Sequence, residues 1–377
     1  MKITIIGTAH PFRGGLASYN ERLGRQFVDE GDDLEIITFT LQYPKLFFPG
    51  KTQYTDSPAP DKPRIRRLLS SVNPFSWIKT AREVVRGKPD LVIFKYWHPS
   101  MSPCFGSVIR LIKRELPDTK VITIFDNVIP HERKPGYGLL TSYFTKSIDA
   151  AVVMSHSVGT DLEGFRKDIP VAFNPHPLFD NYGERISKES ARSGLALSME
   201  QNVFLFFGFI RAYKGLDLLL WAACDERLRE KNIVLIVAGE FYEDDAPYKK
   251  IIKENNLGDR VILMDRFIGE EEIAPLFCGA DMIVQPYRSA TQSGVTQIAY
   301  HFGRPMLVTD VGGLAEIVPH GKCGYVVAPE PEAIADALVD FIDNDRESRF
   351  AECVDKERGK YGWDRLTATI RELAAKI

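Results

Sequence analysis

Short apolar runs alternate with longer amphipathic stretches along this chain. In the first half the runs are KITIIG (2–7), LEIITF (34–39), LVIFKYW (91–97), KVITIF (120–125) and AAVVMS (150–155). Continuous runs rich in Val and Ile, too short for helices, read as strands buried on both faces. The stretches between them, such as 15–29 and 104–115, have helical periodicity. This alternation predicts βαβ units and a doubly wound parallel sheet, which places the chain in the α/β class. Residues 174–200 break the rhythm: they are polar, carry prolines and read as a linker. The rhythm resumes with VFLFFG (203–208), IVLIVAG (233–239), RVILMD (260–265), DMIVQP (281–286) and PMLVTD (305–310). The closing YGWDRLTATIRELAAKI reads as an amphipathic helix. The pattern predicts two domains, 1–180 and 181–359, with the terminal helix, about 360–377, packing back on the first. Two such halves predict a ligand at the carboxyl ends of their strands, in a cleft between them.

Composition narrows the functions open to such a fold. The 377 residues are 44% hydrophobic and 26% charged, with a formal net charge of −3. That balance argues against a nucleic-acid partner. The five cysteines are scattered, without CxxC spacing, which fits a reducing compartment and no zinc knuckle. The start MKITIIGTAH lacks the long apolar segment of a signal peptide, and no run reaches the roughly 18 residues of a membrane span. A cytoplasmic protein is therefore expected.

Three strand-end stretches carry the candidate chemistry. In SATQSGVTQIAYHFGRP (289–305) small residues precede an apolar helix-like run. Backbone N–H groups at a helix start make an anion seat. Ser293, Gly294, Val295 and Thr296 are its candidates, with Thr291 and Gln292 as hydrogen-bonding partners for a sugar. In FFGFIRAYKGLDLLLWA, Arg211 and Lys214 stand three apart beside a helix start, two cations suited to a diphosphate. In GTAHPFRGGLASYNERL, Gly14 and Gly15 allow close backbone approach to a phosphate or an acceptor. The spacing is not G-x-G-x-x-G, so a dinucleotide fold is not indicated.

These stretches, together with DRFIGEEEIAPLFCGADMIVQPY, SGVTQIAYHFGRPMLVTDVGGLAEIV, HGKCGYVVAPEPEAIADAL and, in the first half, QYPKLFFPGKTQ, NPFSWIKTAREV and FDNVIPHE, resemble in order and spacing the retaining glycosyltransferases of family 4. The resemblance implies the GT-B architecture, two Rossmann-like doubly wound domains facing a central cleft. It implies transfer of a sugar from a nucleotide sugar to an acceptor with retention at the anomeric carbon; the acceptor expected is a saccharide or, at a membrane surface, a lipid-linked saccharide. The donor is expected on the C-terminal half, with Arg266, Phe267 and Ile268 around the base, and the acceptor on the N-terminal half. No cofactor or metal is expected, since Arg, Lys and helix ends supply the counter-charge.

The chain departs from this family in three places, one being that FIRAYKG sets Arg211 two residues later than the family's usual arginine. The family's pair of glutamates falls here on Ala290 and Ile298, leaving Gln292 or Gln297 as the nearest polar substitutes. Where the family often has His near the reacting sugar, Asp126 stands, with His131 close by; both are candidate catalytic residues, and His10 and His98 are further strand-end histidines. Residues 62–88, preceded by YPKLFFP, mix cations (Lys62, Arg64, Arg66, Arg67, Lys79, Arg82, Arg86) with Leu68, Leu69, Phe75, Trp77 and Ile78. Such a mixture suits an anionic membrane surface, with peripheral attachment. The missing glutamates leave open two other readings, a catalytically inactive nucleotide-sugar-binding protein and a nucleotide-sugar epimerase of the same fold.

Overall fold

The computed structural model describes residues 1–44, 52–130 and 134–377. It divides into two compact units. Unit one comprises Met1–Pro177 and Gly362–Ile377, unit two Leu178–Tyr361. Among the described residues no helix is long and apolar enough to cross a membrane.

Unit one is built on a seven-stranded parallel sheet. Its strands are β1 (Lys2–Ile6), β2 (Asp33–Leu41), β3 (Arg64–Ser70), β4 (Leu91–Tyr96), β5 (Lys120–Phe125), β6 (Ala150–Val153) and β7 (Val171–Phe173). Their spatial order is β3-β2-β1-β4-β5-β6-β7. The order reverses between β1 and β4, the switch point at which doubly wound sheets open a crevice at their carboxyl edge. Phe94, Tyr96, Phe105 and Phe144 lie in the core on one face. On the other, the helix Gly15–Asp29 buries Tyr19, Leu23 and Phe27. The terminal helix Trp363–Ala375 is tied to this unit by Arg371, 2.6 Å from Asp32, and by Trp363, whose ring lies 5.1 Å from that of Tyr19.

Unit two carries a six-stranded parallel sheet: β8 (Asn202–Phe207), β9 (Ile233–Ala238), β10 (Val261–Met264), β11 (Met282–Gln285), β12 (Met306–Thr309) and β13 (Gly324–Val327). The order is β10-β9-β8-β11-β12-β13, so the switch point falls between β8 and β11.

The stretch 62–88, expected to suit an anionic membrane surface, is not one segment but divides between a strand and a helix. Arg64–Ser70 forms the edge strand β3, guarded by Arg66 through Glu83 at 2.6 Å, as charged residues protect an edge from mispairing. Leu69 is buried, and Leu68 and Trp77 pack against the same core. Phe75 and Ile78 do remain exposed on the helix Pro74–Gly87, beside Lys79, Arg82 and Arg86. Of YPKLFFP, residues 45–49 lie outside the described residues.

Nor is 174–200 simply a linker. From Leu178 it belongs to unit two, and Lys188–Gly194 is helical. Arg192 is buried there. Its guanidinium donates to the carbonyls of Gly279, Ser198, Met199 and Gln201 at 2.9–3.0 Å and to both oxygens of Asp281 at 2.8 Å. Asp281 also accepts the N–H of Val203 at 2.6 Å. A polar-looking segment is thus pinned to the amino edge of the sheet by a cation whose donors all find acceptors.

Candidate functional site

In unit two the two strand-end stretches meet at the switch point. The chain leaves β8 through Gly208, whose φ of 97° suits glycine. A Cβ placed there would stand 3.1 Å from Lys214 Nζ and 3.9 Å from Val295 Cγ2, so the lysine head lies beside the start of the helix Gly294–His301. Gly215 closes the turn. A Cβ there would lie 2.0 Å from the Pro286 carbonyl oxygen, so only glycine lets this turn dock on the loop after β11. Arg288 N–H donates to the Tyr213 carbonyl at 2.7 Å, and its guanidinium pairs with Asp217 at 2.7 Å. The Lys214 ammonium lies 5.5 Å from the Tyr287 ring centre, and Arg211 lies 5.5 Å over the ring of Tyr242. Desolvation, reinforced by the charge of Arg211, pushes Lys214 down to about 8. Two like charges held together in a partly dry site favour an anion between them.

The helix start itself is arranged differently from the expectation. Ser293 caps it: its Oγ accepts the N–H of Val295 at 3.2 Å. The Val295 N–H is therefore committed within the turn. Thr296 is fully buried and its hydroxyl donates to the Ser293 carbonyl. The Val295 N–H and the Thr296 hydroxyl thus serve the turn. Gly294 has an ordinary backbone conformation, and what excludes a side chain there is protein: a Cβ would stand 2.7 Å from the ring of Phe179. Thr291 and Gln292 lie half-buried in the loop leading to this cap. Ile298 is buried, and Gln297 is fully buried with neither amide atom hydrogen-bonded.

Around the expected base site, Ile268 is buried and the Arg266 guanidinium is paired with Glu272, 2.7 Å from one carboxylate oxygen. Phe267 is half-buried. Its ring is 6.5 Å from that of Phe209, which stacks at 4.4 Å on Tyr242. The loops after β8, β9 and β10 therefore present one aromatic ring each, a row not visible as a motif.

In unit one, Gly14 has φ 96° and leads Gly15 into the helix Gly15–Asp29, with no side-chain cap. His10 and His98 make local contacts, His10 Nε2 with the Ser57 carbonyl at 3.0 Å and His98 Nδ1 with Ser100 at 2.8 Å. His131 lies outside the described residues. Asp126 follows β5 directly and is ion-paired at 2.7 Å with Lys95, the penultimate residue of β4. In LVIFKYW, Lys95 is a lone lysine in an apolar run and carries no motif. Its Nζ lies 3.4 Å from the centre of the Tyr19 ring and 4.0 Å from Met154 Sδ. Beside it, burial and the lysine charge push His176 down to about 3, so this histidine is neutral. Burial also lowers Lys95 itself, against the opposing pull of Asp126. Among the described residues no group of three or more His, Cys, Asp or Glu side chains is placed to hold a metal ion.

Residues 201–344, within unit two, match the family described as glycosyl transferases group 1. A D-inositol 3-phosphate glycosyltransferase of Streptomyces coelicolor is 30% identical over 272 residues, 69% of this chain and 57% of that protein. The chain resembles the group 1 glycosyl transferases. It spans about half the length of the curated relatives it matches. Among solved structures, sucrose-phosphate synthase from Thermosynechococcus elongatus superposes with a TM-score of 0.76 at 17% identity, covering 100% of this chain and 99% of that one. Anabaena HepE in complex with UDP and glucose gives 0.78 at 13% identity, with 100% of both chains covered. These likenesses show the fold, the GT-B fold of glycosyl transferases.

Proposed function

We propose that this chain is a glycosyltransferase that moves a sugar from a nucleoside-diphosphate sugar to an acceptor hydroxyl with retention at the anomeric carbon. The observation that carries the reading is the switch point of unit two, where Arg211 and Lys214 share a partly desolvated edge with the start of a helix. Cations and a helix N-terminus stabilise a diphosphate both in the bound donor and as the leaving group. The row Phe209, Tyr242 and Phe267 suits the flat face of a base. The similar HepE is in complex with UDP and glucose, which supports a uridine nucleotide as the first donor to try. The acceptor, a saccharide or a lipid-linked saccharide, is assigned to the carboxyl edge of unit one, near Gly14 and Asp126. The arginine and lysine take the counter-charge role, so turnover is expected to survive a chelator.

The exposed face of the helix Pro74–Gly87 supports a peripheral site of work. Phe75 and Ile78 stand out beside Lys79, Arg82 and Arg86, a composition that suits anionic lipid. Sedimentation with vesicles containing phosphatidylglycerol tests this: binding that Phe75→Ser does not weaken removes the helix from the interface.

Ala290 and Ile298, where the family has glutamates, also favour a second reading, a nucleotide-sugar binder without turnover. Acceptor-dependent release of nucleoside diphosphate decides between the two. Tight binding with no release under any acceptor supports the binder.

A further inference from the structure

The pair Lys95–Asp126 is asymmetric. The Lys95 side chain is 1% exposed and that of Asp126 13%, so the cation is inside and the carboxylate reaches the edge. The sheet register explains how. Lys95 pairs with Ile124 across β4 and β5, and Asp126 is the first residue beyond β5, its N–H donating to the Tyr96 carbonyl at 2.9 Å. Phe94 and Tyr96 belong to the core on one face of the sheet. By strand alternation Lys95 projects to the other face, under Tyr19 of the helix Gly15–Asp29.

The rest of the lysine's surroundings are poor company for a cation. Tyr19 offers its ring face, Met154 a thioether, and His176 is neutral, its Nδ1 engaged with the Pro177 carbonyl at 2.7 Å. Asp126 supplies the counter-charge. Burying such a pair costs desolvation that apolar residues of similar volume avoid. Its position is the switch-point edge, where strand ends deliver functional groups.

We infer that Lys95 is a positioning residue, which from inside the sheet fixes the Asp126 carboxylate at the edge so that it accepts a hydrogen bond from a sugar hydroxyl. This rests on the glycosyltransferase reading above. The pair is neutral as a whole, so it suits a hydroxyl better than a phosphate. The hydroxyl belongs either to the transferred sugar or to the acceptor, and the two leave different kinetic signatures.

The test is a cycle of four proteins: the parent, Lys95→Met, Asp126→Asn and the double variant, each measured for thermal midpoint and for turnover. Wild-type turnover on a panel of UDP-, GDP- and ADP-sugars is measured first; its failure counts against the functional reading, while the stability arm still tests the pair. Both single variants should melt lower, and the double variant should recover most of the loss. Turnover should not recover with it. Lys95→Met should lower kcat on the order of 100-fold, as displacement of a reacting group by about 1 Å does, with the KM of the donor little changed. If donor hydrolysis without acceptor falls equally, the hydroxyl is the donor's. If hydrolysis persists and transfer alone falls, it is the acceptor's. A double variant that regains turnover along with its midpoint overturns the proposal, as does Lys95→Met with parental kcat. A double variant whose loss of midpoint is the sum of the two single losses shows that the pair does not couple, which also overturns it.

Discussion

Two lysines sit at the switch points of the two sheets, and their surroundings differ in one respect that decides what each edge can bind. Lys95 and Lys214 are both pushed down by desolvation. Lys95 has Asp126 at 2.7 Å, whereas Lys214 has the like charge of Arg211 as its electrostatic neighbour. The first lysine brings its own counter-ion. The second carries repulsion that an anion relieves. On the readings proposed above, the same residue type, in the same topological place, orients a carboxylate in one unit and seats a diphosphate in the other.

The widest break of this comparison uses a third cation as a control. Arg192 is fully buried and saturated by acceptors at the amino edge of its sheet. Arg192→Met leaves Asp281 buried beside Lys188 alone, and should cost about 3–5 kcal/mol in denaturant unfolding. Nucleoside diphosphate affinity of the folded protein should stay parental. A loss of affinity with no loss of stability would show that saturation does not mark a structural cation.

Next is the helix start beside Lys214. Gly294→Val forces a side chain against the buried ring of Phe179, and overpacking of this kind costs about 1–3 kcal/mol. It should lower the thermal midpoint as well as diphosphate binding. Binding lost at an unchanged midpoint would mean that the glycine faces ligand and not Phe179.

The smallest effect is expected at the cap. Ser293→Ala removes the acceptor of the Val295 N–H and should cost about 1 kcal/mol. The freed N–H then points to the seat, so diphosphate binding should hold or improve slightly. Weakened binding would place the Ser293 hydroxyl in contact with the ligand and leave Lys214 a smaller share of the diphosphate seat.

Much of this arrangement was legible in the sequence, and the exceptions have physical reasons. The strand runs 2–7, 91–97, 203–208 and 233–239 appear as β1, β4, β8 and β9, because strands buried on both faces are apolar without interruption. β3 was missed, since an edge strand carries charge, and β7 because three residues make no pattern. Arg211 and Lys214 could be read because they lie in one short turn at a strand end. Lys95 could not, since its meaning comes from a partner on the next strand and from a helix far away in sequence. Arg192 was hidden for the same reason, its acceptors being mostly backbone carbonyls that no side-chain motif records. At Gly294 the sequence suggests room for a ligand where the fold has Phe179, because a glycine's crowding partner is invisible until the chain is folded.

The central claim, that the Lys214 edge waits for an anion, is tested most directly by calorimetric titration of UDP across pH, on the parent and on Lys214→Arg. In the unliganded protein Lys214 holds its proton below about pH 8 and loses it above. Its ordinary value is 10.5, so the folded form binds fewer protons than the unfolded between the two, and its penalty on folding is full below about pH 8 and fades as pH rises. A bound diphosphate favours the ammonium. UDP affinity should therefore be flat between about pH 7, where its terminal phosphate is already largely ionised, and about pH 8, and fall above it, by up to roughly tenfold per pH unit while the bound lysine stays protonated. Lys214→Arg, which keeps its charge, should abolish that fall. UDP affinity that stays level in the parent from pH 7 to pH 10, or that falls equally in both proteins, would contradict the account.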